Sequence, residues 1–383
     1  MALHFSETEL AARRQRVCAV MAEDGLDGML IFRQESMYYL TGYDTFGYVF
    51  FQCLYLAADG QMTLLTRSAD RLQARITSDV CDVRIWVDGP DARPARELKD
   101  ILEGYGARGK RLGVEWEAYG LTARNGQRLS AEFDGFCTFN DASELISKIR
   151  VIKSPAEIDY VRRAAALADD AYHAAVNLTV AGAFEGKILA AMQGAIFEGG
   201  GDYPGNEFII GSGENAVLCR YATGRRSLDP QDQLTLEWAG AFRHYHAAMM
   251  RTFIIGAPDP QHVKMHSVAL EALAAVKNAV SPGMTFGAAF QAHCQVLDDA
   301  GMADKRLNAC GYSLGATFSP NWMDWPMLYA DNPTTFEPGM VVFCHMIIFD
   351  ADTGLAMTLG ETVLVTDTGH QRLSSAPLSL VVK

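Results

Sequence analysis

The run Ser154-Pro155-Ala156-Glu157 constrains the fold of this chain more than any other four residues. A serine hydroxyl accepts from the amide three residues on, proline presets φ where the first helical amide needs no partner, and the glutamate reaches back to the serine amide. Ile158, Val161, Ala165, Ala168 and Tyr172 then recur on one face, so the spacing predicts a long amphipathic helix starting at 155. This helix start is the sharpest local boundary in the 383 residues and the candidate domain boundary, near residue 152, between segments 1–151 and 152–383.

The two segments differ in pattern. Ser6 and Glu9 have capping-box spacing ahead of a helix expected to end near Gly25; short apolar runs at 28–32, 62–66 and 111–115 read as strands separated by helical stretches, an α/β layout. After 152, helical runs at 184–197 and 261–280 are interleaved with strands at 208–210, 234–241, 246–255 and 341–349. Helices set against a mainly antiparallel sheet make this segment α+β.

Composition narrows the function classes. The formal charge of −13 and pI near 5.1 oppose a nucleic-acid or anionic-membrane partner, because phosphate would be repelled; a small molecule is the expected partner. Eight cysteines are scattered with no Cys-x-x-Cys pair, which reads as reduced thiols. No basic-then-apolar leader and no run of about 18 apolar residues occur, so a cytoplasmic location is expected.

Within the second segment, Glu237 sits in Leu234-Thr235-Leu236-Glu237-Trp238-Ala239. A carboxylate among apolar and aromatic neighbours either pairs with a cation, faces water, or is held with a raised pKa that suits it to take a proton or attack carbon. His345 lies in the apolar strand 341–348 and is either a hydrogen-bonded core residue or a proton shuttle. Strand alternation puts His244 and His246 on one face, unless Arg243-His244 is a hairpin tip. His262, His266 and His293 read as structural.

The hairpin 234–253 with Tyr245 and Arg251-Thr252, the turn Gly311-Tyr312-Ser313-Leu314-Gly315, the strand entry Pro338-Gly339-Met340-Val341, and Gly360-Glu361-Thr362-Val363-Leu364 resemble the creatinase/prolidase/methionine-aminopeptidase family. Tyr38-Tyr39-Leu40-Thr41-Gly42-Tyr43 and Gly211-Ser212-Gly213-Glu214-Asn215-Ala216 extend the resemblance over nearly the whole chain. It implies a pita-bread catalytic domain, α+β, behind a smaller α/β creatinase-type N-terminal domain. The five metal-ligand positions of that family fall here on Glu237, Ala248, Tyr312, His345 and Gly360, of which only Glu237 is a carboxylate. The resemblance therefore implies that no residues remain as metal ligands and that no cofactor is needed.

Among such proteins the chain is most similar to the metal-independent branch, creatinase and ectoine hydrolase, with Gly200-Gly201-Asp202-Tyr203-Pro204 and Glu237 carrying the likeness to ectoine hydrolases. This implies hydrolysis of a C–N bond in a small zwitterionic cyclic amidine or related compound, with Glu237 as nucleophile or general base, His345 as shuttle and Tyr312 as donor to the tetrahedral centre. Glu361, one residue beyond an emptied ligand position, is a further catalytic candidate. Arg220 stands where the branch has a catalytic histidine and offers a fork for a substrate carboxylate. His246, Tyr203 and the aromatic faces of Trp322 and Trp325 complete the expected binding set. The resemblance also implies a homodimer in which the aromatic segment from Tyr38 to Tyr48 walls the partner's pocket. A metal-dependent Xaa-Pro peptidase rebuilt on His246, His345 and Glu361, and an inactive binding protein, stay open as alternatives.

Overall fold

The computed structural model describes residues 3–220 and 224–383, and the chain divides into two compact units, Met1–Arg150 and Val151–Lys383. The first comprises α1 (Glu7–Glu23), β1 (Gly28–Ile31), α2 (Gln34–Thr41), β2 (Cys53–Ala57), β3 (Met62–Arg67), α3 (Arg71–Thr77), β4 (Asp82–Trp86), α4 (Pro94–Gly104), β5 (Arg111–Val114), α5 (Ala123–Phe133), β6 (Thr138–Asp141) and α6 (Leu145–Arg150). Its sheet runs β4-β3-β2-β1-β5-β6 and is mixed, with antiparallel pairs β1–β2 and β2–β3 and parallel pairs elsewhere. Ser6 accepts from the Glu9 amide at 3.2 Å, but the Glu9 carboxylate turns to Arg13 instead of completing the box. Tyr38, Tyr39, Tyr43 and Tyr48 are buried inside this unit, so of the aromatic segment only Phe46, at 78% exposure, stands out as surface.

The second unit comprises α7 (Pro155–Leu178), α8 (Glu185–Glu198), β7 (Ile209–Ser212), β8 (Asp232–Phe242), β9 (Tyr245–Ile255), α9 (Pro260–Ala279), α10 (Phe286–Asp299), β10 (Ala309–Ser313), β11 (Asp324–Tyr329), β12 (Val341–Asp350), β13 (Leu355–Thr366), β14 (Gly369–Arg372) and β15 (Val381–Val382). The main sheet path is β11-β10-β12-β13-β9-β8-β7, with every neighbouring pair antiparallel; β14 pairs with β13, and β15 lies parallel to β9. This is the α+β arrangement. Among the described residues no helix is long and apolar enough to cross a membrane.

The capping box that opens α7 is complete: Ser154 accepts from the Glu157 amide and the Glu157 carboxylate accepts from the Ser154 amide at 2.9 Å. The other oxygen of Glu157 accepts from the Tyr245 hydroxyl at 2.7 Å, tying the helix start to the β8–β9 hairpin. Contact is closest at Gly240, where a Cβ would lie 1.9 Å from the Ala164 carbonyl oxygen, so only glycine lets α7 approach β8 there. Arg243 and His244 join the two strands with φ of 50° and 64°, the geometry of a tight two-residue hairpin turn. They are a hairpin tip, and His244 stacks on Phe318 with ring centres 4.1 Å apart instead of sharing a strand face with His246.

Candidate active site

Period-two alternation along β8 decides where the key carboxyl points. The Trp238 indole donates to the Ala168 carbonyl of α7 at 2.9 Å, so its neighbour Glu237 projects from the opposite face of the sheet. The same rule works on β12 and β13, which pair without a register shift from Val341↔Leu364 to Asp350↔Leu355. His345 and Gly360 share the face of Glu237, whereas Cys344 and Glu361 share the face packed by α9.

Glu237 and His345 line a cavity of about 290 Å³, together with Arg220, Tyr312, Trp322 and Met250. Glu237 lies deep in the sheet yet opens onto this space. Burial pushes its carboxyl up to about 7, opposed by the Tyr312 hydroxyl, which donates to Oε1 at 3.2 Å, and by the charge of Arg220. Tyr312 in turn accepts from the Trp322 indole at 2.8 Å. Burial also drives the imidazolium of His345 down to about 3, aided by His293 and Arg220. His345 is 7% exposed, and its Nδ1 is buried with no hydrogen-bond partner among the described residues. A ring held neutral in this way has one N–H and one bare nitrogen at neutral pH. The expected role as a proton shuttle would start from this neutral form, the ring taking up a proton from the cavity before passing it on.

Other candidates lie elsewhere. Glu361 has a side chain with no exposure, held between Lys277 Nζ and Arg372 Nε at 2.5 Å each on the helix face; the regular β12–β13 pairing leaves no bulge to turn it toward the cavity. His246 is buried, its Nε2 accepting from the Gly205 amide at 2.8 Å and its Nδ1 3.1 Å from the Thr317 hydroxyl; burial lowers its pKa to about 3. Trp325 packs against the core formed with α9 and α10. Tyr203 is 81% exposed, its ring edge on Phe197. Neither borders the cavity.

Cavity residues that sequence reading passed over include Asn206, Cys219, Met250, Asn308, Met323 and Met327. Met250 had a usable signal: it pairs directly with Glu237 across the hairpin, so the two must share a face. The asparagines and the other methionines come from loops and a strand edge whose approach no local pattern announces.

The residues present do not fit the dinuclear metal site that the sequence resemblance brings to mind. Among the described residues no group of three or more His, Cys, Asp or Glu side chains is placed to hold an ion. At Gly360 a Cβ would lie 2.8 Å from the ring of Phe343, which fills the space a ligand side chain would need. Phe343 also lies against Tyr312 and His345, with ring centres 5.4 and 5.5 Å away, so aromatic packing occupies this part of the site.

Comparison with known proteins places this architecture. Residues 159–367 match the metallopeptidase family M24, and residues 13–152 match the creatinase/prolidase N-terminal domain. The chain is 30% identical over 393 residues to the uncharacterized hydrolase/peptidase y4tM of Sinorhizobium fredii, covering 100% of this chain and 99% of that one. It is 28% identical over 400 residues to the ectoine hydrolase of Halomonas elongata, again covering 100% and 99%. The recombinant prolidase from Thermococcus sibiricus has the same fold, with a TM-score of 0.88 at 19% identity over 99% of this chain and 100% of that one. A creatinase-type N-terminal domain followed by a pita-bread domain, matched by family models over both units, makes the chain a member of the metallopeptidase M24 family of hydrolases.

Proposed function

We propose that the protein is a metal-independent hydrolase that cleaves a C–N bond in a small zwitterionic cyclic amidine or related compound, as the name of its ectoine hydrolase relative suggests. The observation that carries this reading is Glu237: a carboxyl facing an open cavity lined by Arg220, Tyr312 and Trp322 among apolar side chains, with a pKa raised to about 7 by burial. A group poised there is part carboxylate at neutral pH, basic enough to take a proton and able to return it. The cavity lies at the small end of the range of roughly 300–1,000 Å³ usual for ligand sites, which favours a compact metabolite.

In this mechanism the Arg220 guanidinium, at the exposed side of the cavity, holds the substrate carboxylate, and Tyr312 and Trp322 present aromatic surface to the delocalised cation. Glu237 accepts a proton from water as its oxygen bonds to the amidine carbon; the tetrahedral intermediate then collapses, the C–N bond breaks, and the leaving nitrogen receives the proton from the Glu237 carboxyl. In the alternative order the Glu237 carboxylate bonds to the amidine carbon, and water then adds to that carbon, its protons going to the departing nitrogen as the C–N bond breaks and the Glu237 carboxylate is released. His345 contributes a neutral hydrogen-bonding ring. The active form in this reading is a homodimer, with the exposed patch of Phe46, Val49 and Phe50 as the part of the N-terminal unit available to a partner.

The test is a turnover screen of ectoine, hydroxyectoine, creatine, related cyclic amidines and Xaa-Pro dipeptides, with metal content measured by mass spectrometry on the same preparation. Hydrolysis of an amidine without stoichiometric Mn, Zn, Fe or Co, and unaffected by chelator, supports the reading. Two metal ions per chain, or turnover of Xaa-Pro dipeptides alone, refutes it.

A further inference from the structure

The indole N–H of Trp322 is a donor and nothing else, and the atom it meets is the buried Tyr312 hydroxyl at 2.8 Å. That hydroxyl has a single proton of its own. With one lone pair engaged by the indole, the proton goes to Oε1 of Glu237, 3.2 Å away. We propose that Trp322 is a positioning residue for Glu237: by donating to Tyr312 it fixes that hydroxyl as a donor and strengthens the bond it makes to the carboxylate. The effect on turnover rests on the reading of Glu237 as the reacting carboxyl; the hydrogen-bond chain itself does not.

The surroundings of Trp322 are built to hold it. Its backbone amide donates to Asn206 Oδ1 at 3.2 Å, and its carbonyl accepts from the Thr317 hydroxyl at 3.4 Å. The same hydroxyl lies 3.1 Å from His246 Nδ1, whose other nitrogen accepts from the Gly205 amide. Gly205 has no room for a side chain, since a Cβ would lie 2.8 Å from the Asn321 carbonyl oxygen. His246, a buried ring away from the cavity, thereby acquires a role: it clamps the 205–206 segment to the 321–322 segment. The titratable and charged groups around Glu237 are Cys219 and Arg220 ahead of β8, Tyr312 on β10 and His345 on β12; Ile209 of β7 and Met250 of β9 are uncharged. Of these, Tyr312 alone is hydrogen-bonded to the carboxyl among the described residues.

The chain of donors has a signature that needs no substrate. Labelling the indole nitrogens of the full-length protein gives one N–H resonance for each of the five tryptophans. One of them is expected to titrate with a midpoint near pH 7, and to stop titrating in Glu237→Gln and in Tyr312→Phe. If none of the five follows Glu237, the proposal is wrong. Once a substrate is in hand, losing a donor to the carboxylate raises its pKa, so the acid limb of the turnover profile moves to higher pH. Tyr312→Phe removes the bond outright and should move it by about one to two pH units; Trp322→Phe weakens the bond and should move it the same way by a few tenths. An acid limb left in place by Trp322→Phe but displaced by Tyr312→Phe also overturns the proposal. Should Trp322→Phe fail to fold, the resonance titration in wild type and Tyr312→Phe decides alone. Full turnover in Glu237→Gln together with a Glu237-dependent indole titration would refute the catalytic reading and leave the hydrogen-bond chain standing.

Discussion

Glu237→Gln makes a prediction about stability as sharp as the one about turnover. Raising a carboxyl from the 4.5 of an ordinary glutamate to about 7 corresponds to an ionisation penalty of up to ~3 kcal/mol, at about 1.4 kcal/mol per pH unit. The sign follows from proton binding: below pH 4.5 the group is protonated in folded and unfolded chains alike and costs nothing extra. Between 4.5 and 7 the unfolded chain ionises while the folded one holds its proton, so stability falls as pH rises, and above 7 the full penalty applies. Glutamine keeps the shape and can still accept from Tyr312, yet never ionises. The variant should therefore match wild type at pH 4 and exceed it at pH 8 by about 2 to 3 kcal/mol, or on the order of 5 °C for a domain of this size. A thermal-denaturation series from pH 4 to 9 on both proteins, following the transition of the C-terminal unit, reads this directly. A difference that does not change with pH would mean that Glu237 is not held with a raised pKa, and the case for its reactivity would lose its footing. In the presence of substrate the same variant should lose roughly two to four orders of magnitude in turnover; retention of more than about a tenth would assign the chemistry elsewhere.

The other predictions concern neighbouring groups. Glu361→Gln leaves Lys277 and Arg372 without their buried carboxylate and should destabilise the protein by about 3 kcal/mol in urea titration, with kcat per folded molecule unchanged; a large loss of kcat at full stability would move Glu361 into the chemistry. Arg220→Ala should raise KM for a carboxylate-bearing substrate by about ten-fold or more with a smaller change in kcat, and equal kinetics on a substrate lacking the carboxylate would be the matching control. The double change Ala248→Asp with Gly360→Glu should bind no metal in mass spectrometry, because the Phe343 ring already fills the space at 360.

The sequence made the skeleton of this fold legible wherever local chemistry decides structure. The capping box at Ser154 and Glu157 marks the start of α7 because all its partners lie within four residues. Short strands are harder: Asp82–Trp86 and Thr138–Asp141 carry mixed patterns, the apolar run Cys53–Ala57 is too short to tell a strand from a buried helix segment, and all three are strands because neighbours in the sheet pair with them. The site divides along the same line. Glu237 could be singled out because a carboxyl in an apolar strand is costly in any fold, and the strand period fixes its face. The position of His345 is legible in the apolar strand pattern, but its charge state depends on burial contributed by residues far along the chain. His246 and Glu361 were harder still, since Gly205, Thr317, Lys277 and Arg372 are partners that only the folded chain brings together.

Partners distant in sequence also order the centre of this sheet. The cavity side of the sheet is braced by hydrogen bonds and rings. Trp322, Tyr312 and Glu237 link the loop before β11 to β10 and β8, and Phe343 with His345 fills β12 up to the gap at Gly360. Such a lattice fixes its carboxyl through donors that do not themselves ionise near neutral pH: the indole never does, and burial drives the Tyr312 hydroxyl well above its ordinary range. The consequence is that a single group, Glu237, should govern the acid side of the pH response of this centre. A second titration from His345 is not expected near neutrality, because its imidazolium is suppressed to about 3. Turnover that rises with pH through one proton near 7 would fit this arrangement, whereas two coupled protons between pH 5 and 8 would show that the imidazole ionises after all and that His345 shares the proton chemistry.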